Sequence, residues 1–298
     1  MPTAPPPRLP LGALLAAALA YLSWGLLPLY FKALGGVAAT QILAHRVLWS
    51  VLLLAALVPL QGGWSALAAA RPHARTLAAT TVLLATNWLL YIWAVNNDHV
   101  MEASLGYFIT PLVNVALGIR VLGERLNRVQ KAAVALGVLG VAAPLVLAGR
   151  PPWVALGLAG SFGLYGLLRK RLPVPAVPAL LIEAAGMAPL ALYWLGWLAL
   201  QGEGAFGQAT RTDLLLVGTG LITTVPLLLF AVGARRLPLS TMGLLQYLSP
   251  TGQLLLAVFA FGEPFTRTQA LTFSCIWTGL LLTTADALWR RRGVVART

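Results

Sequence analysis

The chain has 298 residues, of which 59% are hydrophobic and 10% are charged, and its formal net charge is +13. A water-soluble domain of this length carries far more charge on its surface, so the composition excludes that class of protein. The single cysteine excludes a disulfide framework, and the three histidines are too far apart in the chain to suggest a metal site.

Ten apolar runs are each long enough to cross about 30 Å of hydrocarbon as a helix. In chain order they cover approximately residues 9–31, 38–60, 75–97, 101–122, 128–148, 153–169, 178–200, 212–233, 239–261 and 267–288. The pattern predicts an all-α integral membrane protein with ten transmembrane helices and no cofactor. Residues 1–8 are rich in proline and predict a disordered N-terminus, whereas residues 289–298 predict a basic cytoplasmic tail.

Basic residues are concentrated in alternate connections between the predicted spans. Clusters at 169–171, 235–236 and 290–292 all fall on one side of the membrane, whereas the other side carries few basic residues. Because basic loops stay in the cytoplasm, this distribution predicts that both termini are cytoplasmic in a bacterial-type cell membrane. It also accounts for the net charge without a nucleic-acid partner, which we do not expect.

The second half of the chain repeats the first. A shift of 139 residues aligns identical residues: Pro111 with Pro250, Gly123 with Gly262, Glu124 with Glu263, Gln130 with Gln269, and Gly140 with Gly279. The predicted halves are residues 9–148 and 153–288, with five spans each. Because five is an odd number, the second half enters the membrane in the opposite sense, so the repeats are inverted. Inverted repeats are typical of transporters whose two halves rock about one shared site.

Several short sequence segments resemble those of a known family. They are residues 42–50 (ILAHRVLWS), 87–97 (NWLLYIWAVNN), 102–109 (EASLGYFI), 226–230 (PLLLF) and 243–247 (GLLQY). In these segments the sequence is similar to EamA-type members of the drug/metabolite transporter superfamily, and among them to the RarD subgroup. The resemblance implies ten helices in two EamA repeats and movement of small organic solutes, often outward.

The fourth and ninth predicted spans carry matching polar stripes around a proline. The stripe residues are Tyr107, Thr110 and Asn114 in the first half, aligned with Gln246, Ser249 and Gln253 in the second. Each stripe lies on one helix face, and the proline leaves a backbone carbonyl without its donor. Polar side chains and free carbonyls suit a solute-binding cavity in the middle of the membrane. The alternative is that the stripes form hydrogen bonds between packed helices.

The third and eighth predicted spans provide further candidate lining residues. Asn87 and Tyr91 lie one helical turn apart, beside Trp88, and the corresponding part of the second half contains Thr223 and Thr224. The first half is richer in aromatic and amide groups here, which predicts an asymmetric cavity for an asymmetric solute. Alternatively, Trp88 faces lipid or packs between helices.

Three ionisable residues lie inside predicted spans, where such groups are a functional hypothesis by default. They are His45 and Arg46 in the second span and Glu183 in the seventh. Arg46 is a candidate for binding an anionic group, and Glu183 or His45 for carrying a coupling proton. The alternative is that Arg46 and Glu183 extend to opposite membrane surfaces.

Acidic residues also occur near the ends of spans. Asp98, His99 and Glu102 crowd one outer connection, which suggests either an extracellular gate or a solvated turn. Glu124 and Glu263 each follow a glycine that ends a helix, and a glutamate favours the N-terminus of the helix that follows it. We therefore expect mainly structural roles for Glu124 and Glu263.

These features together predict a secondary active transporter that moves a small metabolite, amino acid-like or drug-like solute by efflux or exchange. No phosphate-binding loop of the form G-x-x-x-x-G-K-[ST] occurs, so ATP is not expected to drive it. The alternatives are a membrane-embedded enzyme and a non-transporting sensor or scaffold. We expect no enzymatic activity, a monomer in the lipid bilayer, and protons as the candidate coupling ion.

Overall fold

The computed structural model describes residues 10–61, 64–97, 99–147, 151–262 and 264–295. In these ranges the chain is almost entirely helical and has no β-strand. The α-helices are α1 (Leu11–Ala33), α2 (Ala39–Leu57), α3 (Ser65–Ala68), α4 (Ala74–Asn96), α5 (Val100–Leu122), α6 (Arg128–Leu147), α7 (Trp153–Arg171), α8 (Ala176–Leu200), α9 (Thr210–Arg236), α10 (Leu239–Gln246), α11 (Leu248–Leu255) and α12 (Arg267–Val295). The predicted segment 1–8, Asp98, Glu263 and the side chain of Glu102 lie outside the described residues.

Six helical segments of the described chain are long and apolar enough to cross a membrane. They are Leu11–Ala33, Ala39–Leu60, Ser65–Ala94, Leu105–Leu122, Ala176–Leu200 and Thr210–Arg236. These segments and the absence of strands from the described ranges confirm the all-α membrane class, while the count of ten spans stays a prediction. The outer face of α1 agrees with this class, because Leu15, Leu19, Leu22 and Leu26 are exposed along it and lipid needs no polar covering.

The ninth predicted span, 239–261, is not one continuous helix. It is divided at Tyr247 into α10 and α11, and its last turn, Leu256–Ala260, is π-helical. Pro250 contributes to the break, because it has no N–H to donate to the carbonyl of Gln246 and its ring crowds that carbonyl. The aligned Pro111 leaves α5 continuous, so the two halves differ in backbone at the same position.

The packing of the helices is nearly unchanged when the two halves are exchanged. α5 packs on α7 as α1 packs on α10 and α11, α4 packs on α7 as α1 packs on α9, and α2 packs on α9 as α4 packs on α8. The other large contacts join a helix to its own counterpart: α2 with α8, α5 with α10, and α6 with α12. This is the contact pattern of two halves related by a twofold axis.

The α6–α12 contact shows this exchange at the level of single residues. A Cβ atom at Gly140 would lie 3.0 Å from the carbonyl oxygen of Thr272, and one at the aligned Gly279 would lie 3.2 Å from that of Ala133. Ala133 is itself the residue aligned with Thr272. Both glycines are therefore needed for the two helix backbones to approach closely.

Both α6 and α12 begin with the same reciprocal cap. Gln130 accepts a hydrogen bond from the backbone N–H of Asn127 and donates its own N–H to the Asn127 side chain. Gln269 forms the equivalent pair with Thr266. This capping box satisfies N–H groups that the helix leaves unpaired, which explains why glutamine stands at both aligned positions.

Side-chain hydrogen bonds identify the helix ends that lie together. The Nη2 atom of Arg171 donates to the carbonyl of Val121 at 3.0 Å, and Nη1 of Arg235 donates to that of Val174 at 3.4 Å. We call this end of the bundle the basic end; it contains the C-termini of α5, α7 and α9 and the start of α10. The other end, which carries the α1–α2 and α8–α9 connections, is called the opposite end.

Candidate functional site

A cavity of about 180 Å³ lies between the two halves. Its walls come from α1, α2, α4 and α5 in the first half and from α7, α9, α10 and α11 in the second. The predicted site residues that line it are Arg46, Asn87, Trp88, Tyr91, Tyr107, Thr110, Thr223, Gln246, Ser249 and Gln253. Asn114, Thr224, His45 and Glu183 do not line it.

Arg46 lies against the cavity and does not extend to the membrane surface. Its Nε atom donates a hydrogen bond of 2.9 Å to Oγ1 of Thr223, which joins α2 to α9. The guanidinium group lies over the Trp88 ring at 5.0 Å and near the Phe31 ring at 5.6 Å. Cation–π contacts of this kind fix the orientation of a guanidinium. Among the described residues no carboxylate pairs with Arg46.

Aromatic rings form much of the cavity wall. The rings of Tyr91 and Tyr107 meet edge to face with their centroids 6.2 Å apart, and those of Trp24 and Phe162 do so at 5.7 Å. All four residues line the cavity, together with Phe31. The sequence did not single out Trp24, Phe31 or Phe162, because an aromatic residue in an apolar helix carries no signal that separates a cavity from lipid.

The amide side chains divide their roles between structure and cavity. Asn114 is buried and its Nδ2 donates to Oε1 of Gln246 at 2.8 Å, so it joins the two halves and orients a lining residue. Asn87 donates from Nδ2 to the Leu158 carbonyl and to Oγ of Ser161, both at 2.9 Å. The packing alternative therefore describes Asn114 well, while Asn87 both packs on α7 and lines the cavity.

The smaller polar residues of the two stripes differ in whether their side chains already have hydrogen-bond partners within the protein. The Thr110 hydroxyl donates to the carbonyl of Gly106 at 2.6 Å, so its proton is already used within α5. Throughout the described chain the side chains of Ser249 and Gln253 have no hydrogen-bond partner, and both line the cavity. Ser249 and Gln253 of the second stripe thus supply free hydrogen-bonding groups.

The cavity is closed toward the basic end by a cluster of five aromatic side chains from α1, α7 and α9. This aromatic cluster consists of Tyr21, Trp24, Phe162, Tyr165 and Phe230. The Phe230 ring is central, at 5.5 Å from Phe162 and 6.2 Å from both Tyr21 and Tyr165. Phe230 is buried, so the cluster lies between the cavity and the basic end of the bundle.

Glu124 fastens the two halves together at the basic end. Its Oε1 accepts a hydrogen bond of 2.6 Å from the backbone N–H of Leu239, and its Oε2 accepts from the N–H and the hydroxyl of Ser240 at 2.8 and 2.7 Å. Glu124 therefore caps α10 in the other half, rather than α6, the helix that follows it. Nearby, Nζ of Lys170 donates to the carbonyl of Leu237 at the end of α9.

A buried ion pair lies beside the cavity. Glu183 on α8 and Arg169 on α7 are 1% and 3% exposed, and Oε1 of the first lies 3.6 Å from Nη1 of the second. Tyr165 donates to the other carboxylate oxygen at 3.3 Å. Glu183 therefore does not reach the membrane surface. The sequence does not single out Arg169, because a basic cluster at the end of a span is also the ordinary signal of membrane topology.

A second cavity of about 20 Å³ lies beside Glu183 and next to the main cavity. Glu183 and Thr224 line it, and it shares Trp88 and Thr223 with the large cavity. The Thr224 hydroxyl is buried without a hydrogen-bond partner. One wall of side chains thus separates a buried carboxylate from the place where Arg46 binds Thr223.

His45 lies beneath the α8–α9 connection at the opposite end, outside both cavities. Its ring stacks on Phe206 with the centroids 5.3 Å apart. Gln41, one turn earlier, donates to the Glu203 carbonyl and accepts from the N–H of Ala205, both at 2.9 Å. These contacts dock residues 201–209 onto α2.

Comparison with known proteins assigns the chain to a family. The model of the EamA-like transporter family matches residues 11–145 and again residues 151–285. An uncharacterized transporter of Vibrio cholerae serotype O1 is 47% identical over 281 residues, covering 93% of each chain, and Protein RarD of Escherichia coli strain K12 is 45% identical over 285 residues, covering 94% of this chain and 96% of the relative.

A solved crystal structure of a protein that is 23% identical matches with a TM-score of 0.73 and covers 92% of this chain and 98% of that chain, which shows a shared fold. The similarity to RarD proteins confirms the resemblance seen in the sequence segments. Apolar helices and bacterial relatives make this an inner-membrane, multi-pass transporter. The chain therefore belongs to the EamA-like transporter family.

Proposed function

We propose that this protein is a secondary active transporter that moves a small organic solute, by efflux or exchange, through alternating access. One observation supports the proposal most strongly: both halves build a single cavity, and the helix packing around it is nearly unchanged when the halves are exchanged. Halves with interchangeable contacts can close either end of one site by the same kind of motion.

The proposed topology has ten transmembrane helices in two inverted five-helix repeats, 9–148 and 153–288, with both termini cytoplasmic. Two observations support this topology. The family model matches the chain twice, once in each half, and basic clusters lie at the ends of α7 and α9. One chain supplies every helix that lines the cavity, so we propose that a monomer in the bilayer is the working unit.

In this topology the basic end faces the cytoplasm, and the structure represents a state closed on that side. The closure has two layers, the aromatic cluster and the polar contacts of Glu124 and Lys170. The cavity draws on the segments of α1, α2 and α4 that lie toward the opposite end. A solute would therefore exchange with the outside in this state.

The lining residues form the proposed solute-binding site, with Asn114 and Thr224 in supporting positions. Gln246 is held by Asn114 and Arg46 by Thr223, so both groups face the solute in a fixed orientation. Ser249 and Gln253 supply free hydrogen-bonding groups. Fixed polar groups within an apolar wall are the usual means of solute selection.

We assign proton coupling to Glu183 rather than to His45. Glu183 is buried, pairs with Arg169, and lies across one wall of side chains from the main cavity. Protonation would remove the charge that Arg169 faces, and a buried cation without its partner costs several kcal/mol. The protonation of Glu183 would therefore weaken the ion pair that joins α8 to α7. His45 has no such connection to either cavity.

Transport by purified protein in proteoliposomes tests the proposal, with a panel of metabolites, amino acids and amphiphilic drugs and with or without an imposed pH gradient. We expect uptake of at least one solute class and a rate that responds to the gradient. Folded protein that moves no solute under any condition would contradict the carrier assignment.

The substitution Glu183→Gln should abolish the response to the pH gradient. The matched control is Glu203→Gln, an exposed carboxylate in the α8–α9 connection, and it should keep the response. His45→Gln should keep it as well. A gradient response that survives in Glu183→Gln would remove this residue as the proton carrier.

A further inference from the structure

We infer that the solute is an organic monoanion, with one carboxylate that binds Arg46 and a planar apolar body that packs on the aromatic wall. This inference rests on the proposed function in taking the cavity as the binding site. It adds the chemical class of the solute.

The charge of the cavity favours an anionic solute. Arg46 is the only charged side chain among the described residues that line the cavity. A guanidinium keeps its proton at all physiological pH values, so the site holds one full positive charge. A charge inside a membrane protein is costly without a partner, and no described carboxylate supplies one. A solute with one negative charge neutralises the site.

The geometry of Arg46 favours a carboxylate as the anionic group. Its Nε atom donates a hydrogen bond to Thr223, and its two terminal nitrogens have no hydrogen-bond partner in the described part of the chain. A guanidinium binds a carboxylate through two parallel N–H···O bonds, and such paired, charge-assisted bonds are the stronger kind. A phosphate monoester near neutral pH carries up to two charges, of which one would stay uncompensated here. A carboxylate matches both the charge and the available donors.

The wall of the cavity favours a planar apolar body. Trp24, Tyr91, Tyr107 and Phe162 present rings to the same space that Arg46 faces. Their edge-to-face pairs leave ring faces and edges on which a planar apolar group can pack. The free side chains of Ser249 and Gln253 can accept or donate to a neutral polar substituent on that body. A cationic group meets only repulsion from Arg46.

Three probes with the same ring and different charge test this inference. They are phenylacetate (anion), phenylacetamide (neutral) and phenethylamine (cation), each titrated into the purified protein in lipid nanodiscs by calorimetry at pH 7. We expect phenylacetate to bind at least tenfold more tightly than phenylacetamide, and phenethylamine to bind most weakly. Equal binding of the acid and the amide, or no binding of the acid, would overturn the inference.

Variants of Arg46 test the residue itself. Arg46→Gln should reduce the preference for phenylacetate over the amide to less than twofold, whereas Arg46→Lys should keep part of it. Arg120→Gln removes the same charge from an exposed position at the end of α5 and should keep the full preference. If Arg46→Gln does not fold, the wild-type probe series and Arg46→Lys still decide.

Binding and transport separate this inference from the proposed function. Preferred binding of phenylacetate without its movement into proteoliposomes would support the monoanion site and count against the carrier. Movement of solutes with no preference for the anion would support the carrier and overturn the monoanion inference.

Discussion

The substitution Glu124→Gln should open the basic end of the bundle. The two carboxylate oxygens of Glu124 accept three hydrogen bonds from Leu239 and Ser240, and these bonds hold the α5–α6 connection of one half to the start of α10 in the other. Glutamine has almost the same shape, but one of its two terminal groups donates and cannot accept. The variant therefore loses at least one bond and the negative charge at the N-terminus of α10.

The size of this effect follows from the lost interactions. A hydrogen bond to a charged acceptor contributes about 1.5–3 kcal/mol, and a negative charge at a helix N-terminus adds about 0.3–1 kcal/mol. Glu124 is only half-buried, so the low end of this sum, about 2 kcal/mol, is the appropriate value. A change of that size multiplies the population open to the basic end by roughly 30-fold.

Cysteine labelling measures this population. The chain has one cysteine, Cys275, so Gln253→Cys in a Cys275→Ala background places a single thiol in the cavity. A membrane-impermeant maleimide is added from either side, in cells and in inverted vesicles. In the proposed topology, Glu124→Gln should raise the labelling rate from the cytoplasmic side by roughly 30-fold and lower it from outside.

The control is Glu203→Gln in the same background, which makes the same chemical change at an exposed position. It should leave both rates unchanged. If Glu124→Gln and Glu203→Gln label alike from the cytoplasmic side, the bonds to α10 do not hold the closed state and the reasoning is refuted.

Three further predictions concern packing and binding. Gly140→Ala should lower the unfolding temperature of the purified protein, because overpacking costs about 1–3 kcal/mol and the added Cβ would lie 3.0 Å from a backbone oxygen. Gly160→Ala, where a Cβ has nothing within 4 Å, should keep or raise it. Asn114→Ala should cost about 1–3 kcal/mol of stability, whereas Gln253→Ala should weaken solute binding at unchanged stability. Gln41→Ala should speed hydrogen exchange at residues 201–209 by roughly fivefold to tenfold, for the loss of about 1 kcal/mol.

Each of these predictions has a result that would contradict it. Equal unfolding temperatures for the two alanine variants would mean that α6 and α12 separate easily. Loss of solute binding without loss of stability in Asn114→Ala would place that side chain in the cavity after all. Unchanged exchange in the α8–α9 connection would mean that Phe206 alone holds it on α2.

The hydrophobic pattern was sufficient to predict an all-helical membrane protein, because lipid requires an apolar surface along each helix and leaves few alternatives. It did not predict the break at Tyr247. Most of the hydrogen-bonding residues that line the cavity were also predictable. A polar side chain in the middle of such a helix needs a partner or a cavity, so Tyr107, Gln246 and Gln253 were visible as candidates. The aromatic residues of the cavity wall, such as Phe162, could not be predicted, because an aromatic side chain in an apolar helix is equally suited to contact with lipid.

Contacts between halves were the least predictable feature. The repeat aligns Asn114 with Gln253, yet the hydrogen bond joins Asn114 to Gln246. Residues related by a twofold axis touch only where the axis passes, and the alignment does not locate the axis. Likewise, nothing in the sequence around Glu124 distinguishes the start of the next helix from the start of α10. The burial of Arg169 could not be predicted either, because it depends on helix packing and the neighbouring basic residues indicate a surface position.

The reciprocal glycines of α6 and α12 constrain how the two copies can diverge after duplication. None of the described residues of these two helices lines the cavity, yet each glycine makes room for the backbone of the other copy. A change in one copy therefore has to be tolerated by its twin, and Gly140 and Gly279 remain identical in this chain. Tyr107 and Gln246 occupy aligned positions in the cavity and have become different. In such a duplicated gene, surfaces that face the solute can specialise, while surfaces that face the sister copy must change together.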